Sequence, residues 1–313
     1  MIDEAPNQVI TSTMTCPEIV AILTANGCDD LTLSLDEPAC SKYPIASGGL
    51  GDVFHGRLFD GTPVAIKTIR GYYDLGQVVR VYNKRAAREI YAWSKCKHPN
   101  VVELKGLAVF HECLAMVSRW EENGNLLQYL SRHPSADRCQ LITSICAGLV
   151  YLHDNDIVHG DLKGANVLIA RDGTPMLMDF GNASLLDPTV LFTQTNTGIK
   201  ASLRWAAPEI LEETSSYTTA SDVYALGMTI LEAFTSNVPF ADKSDLSVLS
   251  RLSTRTLIPT RPEVIPKRSI YGDKLWAILM KCWSYDPQDR PTVGAVWDVV
   301  KPLSPEKLKE IED

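Results

Sequence analysis

Apolar residues recur along this chain with two different spacings, and the spacing changes near residue 124. Between Tyr43 and Ser118, short runs rich in β-branched and aromatic residues dominate, such as Val53-Phe54-His55-Gly56 and Val64-Ala65-Ile66-Lys67-Thr68-Ile69. Asp60-Gly61 between these two runs is a tight-hairpin signal. Two more strands are predicted around 101–110 and 113–117. One helix is predicted inside this stretch, from Gln77 to Lys95. There Val78, Val79, Tyr82, Ala86, Ile90 and Trp93 fall at helical spacing, and His98-Pro99-Asn100 ends the run. After Gly124 the spacing becomes helical, with helices predicted over 126–131, 141–154, 220–235, 246–253, 274–283 and 293–301. Upstream, Pro17 to Leu23 reads as a short helix, with Pro17 in its first turn and Gly27 past its end. The pattern therefore predicts an α+β chain in five parts. These are an extension over 1–42, a small sheet lobe over 43–118, a join over 119–123, a larger helical lobe over 124–302 and a tail over 303–313.

Composition narrows the partners more than the fold. Hydrophobic residues make up 45% and charged residues 22%, as in ordinary globular chains. The formal net charge of −8 argues against nucleic acid or an anionic membrane as the main partner, because both require a basic surface. The eight cysteines form no C-x-x-C pair and are too sparse for a disulfide framework, so free thiols in a reducing compartment are expected. No secretory leader pattern opens the sequence, and no apolar run approaches the ~20 residues of a membrane span. A cytoplasmic protein without a membrane segment is the expectation.

Four segments carry candidate chemistry. Ala46-Ser47-Gly48-Gly49-Leu50-Gly51-Asp52-Val53 lies between strand signals, and its glycines would let backbone N–H groups approach phosphate with no Cβ in the way. By itself it could equally be a glycine-rich turn. Lys67 follows in an apolar strand, where a charge is unfavourable unless paired, and Glu89 on the next helix is the natural partner. His159-Gly160-Asp161-Leu162-Lys163-Gly164-Ala165-Asn166 follows a helix and precedes the apolar strand Val167-Leu168-Ile169. Its carboxylate can accept a hydroxyl proton, its ammonium can neutralise a phosphate, and its amide oxygen can bind a metal ion. Met178-Asp179-Phe180-Gly181 adds a second oxygen donor. Two such donors beside a lysine suit Mg²⁺ held together with substrate phosphates.

Taken in order, with Ala207-Pro208-Glu209 downstream, these segments resemble the protein kinase signature over roughly 43–302. The approach Ser202-Leu203-Arg204-Trp205 and the closing Cys282-Trp283 resemble the tyrosine kinase-like group. The His-Gly-Asp-Leu-Lys-Gly-Ala-Asn run is similar to members of that group numerous in mushroom-forming fungi. The resemblance implies a two-lobed α+β fold, with a small antiparallel sheet lobe carrying one helix and a larger, mainly helical lobe. It implies ATP and Mg²⁺ as cofactors and protein substrates as partners. By it, the loop Ala46, Ser47, Gly48, Gly49, Leu50 and Gly51 covers the phosphates, and Val53, Ala65 and Leu168 enclose the adenine. Ser118 guards the rear of the adenine pocket, and Arg119, Trp120 and Glu121 belong to the join beside it. Lys67, fixed by Glu89, binds the α- and β-phosphates, and Asn166 and Asp179 hold Mg²⁺. Asp161 orients and deprotonates the incoming hydroxyl while Lys163 steadies the γ-phosphate. Glu209 pairs with Arg290 in a structural role, and His159 is a satisfied core histidine.

Lys163 follows the serine/threonine pattern, so transfer to serine or threonine is the main reading. A tyrosine or dual-specificity kinase and a pseudokinase scaffold are the alternatives. Two positions depart from the family. Ala46 replaces the first glycine of the loop, and Gly160 replaces the arginine that usually precedes the catalytic aspartate. Glycine at 160 removes a buried charge that would otherwise await a loop phosphate. Ser202 is expected to bond Asp161 or Lys163, and Lys200 and Arg204 are cations that a phosphate on the loop could meet.

Overall fold

In the computed structural model the strand-forming and helix-forming stretches separate as their spacings predict. It describes residues 9–11, 13–48, 51–69, 77–185, 191–192 and 202–309. In chain order the elements begin with β1 (Val9–Ile10), α1 (Cys16–Ala25), β2 (Ala46–Gly48), β3 (Gly51–Arg57), β4 (Pro63–Thr68), α2 (Gln77–Ser94), β5 (Leu104–Phe110) and β6 (Cys113–Arg119). They continue with α3 (Leu126–Arg132), α4 (Arg138–Asp154), β7 (Ile157–Val158), β8 (Val167–Ile169), β9 (Pro175–Leu177), β10 (Ser184–Leu185) and β11 (Leu191–Phe192). The last are α5 (Pro208–Leu211), α6 (Thr219–Thr235), α7 (Asp245–Ser253), α8 (Ile270–Cys282) and α9 (Val293–Val300). The chain divides into two compact units, one of residues 1–97, 102–120 and 185–198, the other of 98–101, 121–184 and 199–313.

The first unit is built on a five-stranded antiparallel sheet in the order β2-β3-β4-β6-β5. The β3–β4 hairpin turns at Gly61, whose φ of +88° suits a residue without a Cβ. Strand alternation puts Phe54, Val64 and Ile66 on one face, where they form a core with Leu35, Phe110, Ala115 and Val117. Val53, Ala65 and Lys67 alternate with them and are half-buried. The predicted upstream helix is present. Glu18 reaches back to accept the Thr15 N–H at 2.7 Å, which starts α1 at Cys16. α1 packs on α2 and β6, with Ile19 and Leu23 wholly buried. β1 pairs in parallel with β11.

The second unit is arranged around α6, which is apolar nearly all round (Val223 to Leu231) and correspondingly buried. It packs against α3, α4 and α8. Thr218 caps it, accepting the Ser221 N–H at 3.1 Å. Three boundaries differ from the sequence reading, each for a local reason. α4 starts at Arg138, ahead of 141, because Asp137 accepts the Gln140 N–H at 3.0 Å. α8 starts at Ile270, ahead of 274, because the Ser269 hydroxyl accepts from Gly272 at 3.2 Å. The strand expected from Val101 begins only at Leu104, because Val101 instead bridges Leu177. No helix among the described residues is long and apolar enough to cross a membrane.

Candidate active site

On the first unit the expected nucleotide residues share one sheet face. Ala46 pairs with Val53, Val53 with Lys67, and Ala65 with Ser118 across the strands. Ala46 stands in a strand, a conformation open to any residue, so loss of the usual glycine there is tolerated. Gly48 ends β2, whereas Gly49 and Leu50 lie outside the described residues. At Gly51 a Cβ would sit 2.1 Å from the Thr68 carbonyl oxygen, so only glycine fits. Ser47 donates to Asp52 at 2.7 Å. Lys67 Nζ donates to Glu89 Oε1 at 2.7 Å, and Glu89 is only 1% exposed. Ser118 is buried on the same face, at 7% exposure. Arg119 ends β6 exposed, and the Trp120 N–H donates to the Pro63 carbonyl at 3.3 Å.

In the second unit the expected transfer residues converge. Lys163 Nζ donates at 2.7 Å both to Asp161 Oδ2 and to the Ser202 hydroxyl, and Ser202 donates to Asp161 Oδ1 at 2.7 Å. Ser202 therefore bonds both groups it was expected to meet. Asn166 Nδ2 donates to the Asp161 carbonyl at 2.8 Å and to its carboxylate at 3.0 Å. That orientation leaves the amide oxygen as the group that can face a cation. Asp179 adopts φ +73° and accepts weakly from the Gly181 N–H at 3.4 Å. An amide oxygen and a carboxylate are hard donors of the kind Mg²⁺ takes, so these residues fit the expected ion. Leu168 is half-buried in β8, and Glu121 accepts the Gly124 N–H at 3.2 Å.

The loop that presents Asp161 is fixed from α6. Asp222 is buried, and its carboxylate accepts the backbone N–H of His159 at 2.8 Å and of Gly160 at 2.9 Å. His153 Nε2 lies 2.9 Å from the same carboxylate. Gly160 adopts φ +78°, and a Cβ there would stand 2.8 Å from the Asn182 carbonyl. Glycine at this position is thus demanded by the local backbone as well as removing a charge. His159 is wholly buried, bonds the Met178 carbonyl at 3.1 Å, accepts the Asp161 N–H at 3.2 Å and packs on Phe180. It is a core residue, as expected. Arg290 and Glu209 form a buried two-point ion pair at 2.6 and 2.7 Å.

The sequence reading missed Glu232. This α6 residue is 1% exposed and accepts the Gly164 N–H and the Trp205 indole N–H, each at 2.8 Å. Burial raises its carboxyl to about 7, partly offset by those two donors and by Lys163. A glutamate in an apolar helix is unfavourable without partners, and that signal could have singled it out. Tyr217 was missed too. Its hydroxyl lies buried without a partner among the described residues, beside a small cavity lined by Gly160, Asp161, Ser202 and Trp205. Burial and nearby Asp161 push its phenol up to about 12. One expectation fails. Arg204 is not available to a loop phosphate, because it donates to the carbonyls of Pro239, Phe240 and Lys243 and to Asp245. Lys200, Thr193, Thr195 and Thr197 lie outside the described residues.

Comparison with known proteins agrees with this geometry. The model of the protein kinase domain matches residues 41–300. Serine/threonine-protein kinase STY17 of Arabidopsis thaliana is 26% identical over 316 residues, covering 99% of this chain and 50% of that protein. The tyrosine-protein kinase transforming protein Fps of Fujinami sarcoma virus is 31% identical over 258 residues, covering 80% of this chain and 28% of that protein. The calmodulin-binding receptor-like cytoplasmic kinase 1 of Arabidopsis thaliana is 34% identical over 208 residues, covering 64% of this chain and 43% of that protein. The chain thus spans half or less of the length of these relatives. With a domain match over most of its length, and the fold and the ordered motifs in place, the chain belongs to the protein kinase family.

Proposed function

We propose that the chain is an ATP-dependent, Mg²⁺-requiring kinase that phosphorylates serine and threonine hydroxyls of cytoplasmic protein substrates. The observation that carries this reading is the closed set Asp161, Lys163 and Ser202, mutually bonded at 2.7 Å. In this reading residues 43–302 are the catalytic domain, 1–42 an extension and 303–313 a tail. The glycine segment from Ala46 to Gly51 and Lys67 take the phosphates. Val53, Ala65, Ser118, Arg119, Trp120, Glu121 and Leu168 take the adenine. Asn166 and Asp179 would hold Mg²⁺, which when bound offsets charge on the phosphates.

The transfer step follows from the remaining residues. The substrate hydroxyl oxygen attacks the γ-phosphorus while its proton passes to the Asp161 carboxylate. The bond from γ-phosphorus to the bridging oxygen breaks, and ADP leaves. Lys163 places positive charge beside Asp161, where the γ-phosphate is transferred. The transition state is loose, so positioning and charge neutralisation supply most of the acceleration. Proton acceptance adds about 10²–10⁴ in rate.

Lys163 and its bond to Ser202 support serine/threonine transfer. The Fps resemblance keeps tyrosine transfer as the second reading. A scaffold without turnover is disfavoured because Lys67, Glu89, Asp161, Asn166 and Asp179 are all retained. The test is incubation with ATP and Mg²⁺ and a generic protein acceptor, followed by mass spectrometry of phosphosites. Phosphoserine and phosphothreonine are expected. Phosphotyrosine alone overturns the specificity, and no phosphate on either acceptor or chain overturns the activity.

A further inference from the structure

The family match begins at residue 41, yet the segment before it is built into the first unit. α1 packs on α2, the helix that carries Glu89, and buries Ile19 and Leu23 completely. The chain then lines the edge strand β5. The Leu107 N–H donates to the Asp29 carbonyl and the Leu31 N–H to the Leu107 carbonyl, each at 2.8 Å. The Val109 N–H donates to the Thr32 hydroxyl at 2.9 Å. At Gly106 a Cβ would stand 2.3 Å from the Asp29 carbonyl oxygen, so the sheet edge is shaped to receive this segment. Leu35 finally enters the sheet core beside Phe54 and Ile66.

One continuous segment is thus fastened to the sheet edge at one end and to α2 at the other. Lys67 belongs to that sheet and Glu89 to that helix, and their 2.7 Å bond depends on where the helix stands. The sheet is a hydrogen-bonded lattice, whereas a helix packed on it by side chains can shift or turn at lower cost. A bracket joining the two limits that freedom.

We propose that residues 16–35 form a built-in brace that sets α2 against the sheet, making Ile19 and Leu23 positioning residues for the Lys67–Glu89 pair. This rests on the reading of Lys67 as the nucleotide ligand. The brace lets the pair close without a partner protein on α2. Loss of it loosens ATP binding, and leaves the residues around Asp161 intact.

The test uses the full chain carrying Leu23→Ala, with Ile19→Val, which removes only one methylene, as the milder variant. Leu23→Met is the conservative control. ATP affinity is measured directly by calorimetry, and KM and kcat at a temperature where each variant is folded by circular dichroism. Leu23→Ala is expected to raise the Kd and KM for ATP about tenfold with a smaller change in kcat. Ile19→Val should shift both in the same direction, and Leu23→Met should stay within about twofold. Amide exchange should quicken in residues 83–94 while α4 and α6 keep their rates. In a Glu89→Gln background Leu23→Ala should add less than about twofold, because the two act through one pair. Unchanged ATP affinity in folded variants, or fully multiplicative effects with Glu89→Gln, overturns the brace. Absence of turnover in the unmodified chain overturns the proposed activity instead, and the affinity measurement still judges the brace.

Discussion

The two halves of the candidate residue set, one in each unit, are held by different means. In the second unit, the residues around Asp161 sit in a dense net of hydrogen bonds anchored on α6 by Asp222 and Glu232. In the first unit, Lys67 meets Glu89 in an ion pair at 2.7 Å, and α2, which carries Glu89, packs on β5 and β6, where Asn83 accepts the Leu114 N–H at 3.2 Å. A hydrogen-bonded loop has few alternative arrangements that satisfy its buried polar groups. A helix held largely by packing can shift or turn at lower cost. The residues around Asp161 are therefore fixed by hydrogen bonds, whereas the Lys67–Glu89 pair depends more on how its helix is seated.

Removing chemistry from each half should separate them most sharply. Asp161→Asn should lower kcat by about 10²–10⁴, because it removes the proposed proton acceptor. It should leave the KM for ATP within about threefold. Glu89→Gln should act the other way, raising the KM for ATP by about tenfold or more with a smaller loss in kcat. Steady-state kinetics on both variants decides this, and matching profiles would erase the contrast.

The rigidity of the second unit rests partly on the Glu209–Arg290 pair. Glu209→Gln leaves a buried guanidinium without its counter-charge and should destabilise the protein by about 3–5 kcal/mol. Urea denaturation measures this, and a loss under about 1 kcal/mol would mean that the pair adds little.

Glu232 gives that unit a pH signature. Its carboxyl is raised to about 7 in the folded chain from an ordinary 4.5. The folded state therefore holds this proton more tightly than the unfolded state. The associated stability is fully present below about 4.5, falls as pH rises, and is gone above about 7. Compared with Glu232→Gln, the unmodified chain should lose on the order of 3 kcal/mol between these limits. Parallel stability–pH curves for the two proteins would show that burial does not perturb the group.

The smallest expected effect concerns Ser202. Ser202→Ala removes one partner each from Asp161 and Lys163 and should lower kcat/KM about tenfold, or about 1.4 kcal/mol. Phosphatase treatment of the unmodified chain should change activity less than this. Gly160 carries no charge that awaits a phosphate, and Arg204 is already committed to carbonyls and Asp245. A silent phosphatase-treated enzyme would show that the loop is a phosphate switch after all.

Much of this protein was legible in its sequence because the information is local. Short β-rich runs marked β3 and β4, and helical spacing marked α2 and α6. The ordered Asp161, Lys163, Asn166 and Asp179 carried the resemblance to the protein kinase family, which the domain match bears out. What only the tertiary structure decided involves partners far apart in the chain. Asp222 reaches His159 and Gly160 across more than sixty positions, and Glu232 holds Gly164 and Trp205 together. The engagement of Arg204 by the carbonyls after Pro239, and the backbone bonds that tie the extension to β5, were equally invisible. Spacing reports which face of an element is apolar, but it carries no record of which distant groups a buried charge will meet. That pairing is fixed only when the elements pack and each desolvated polar atom must find a partner.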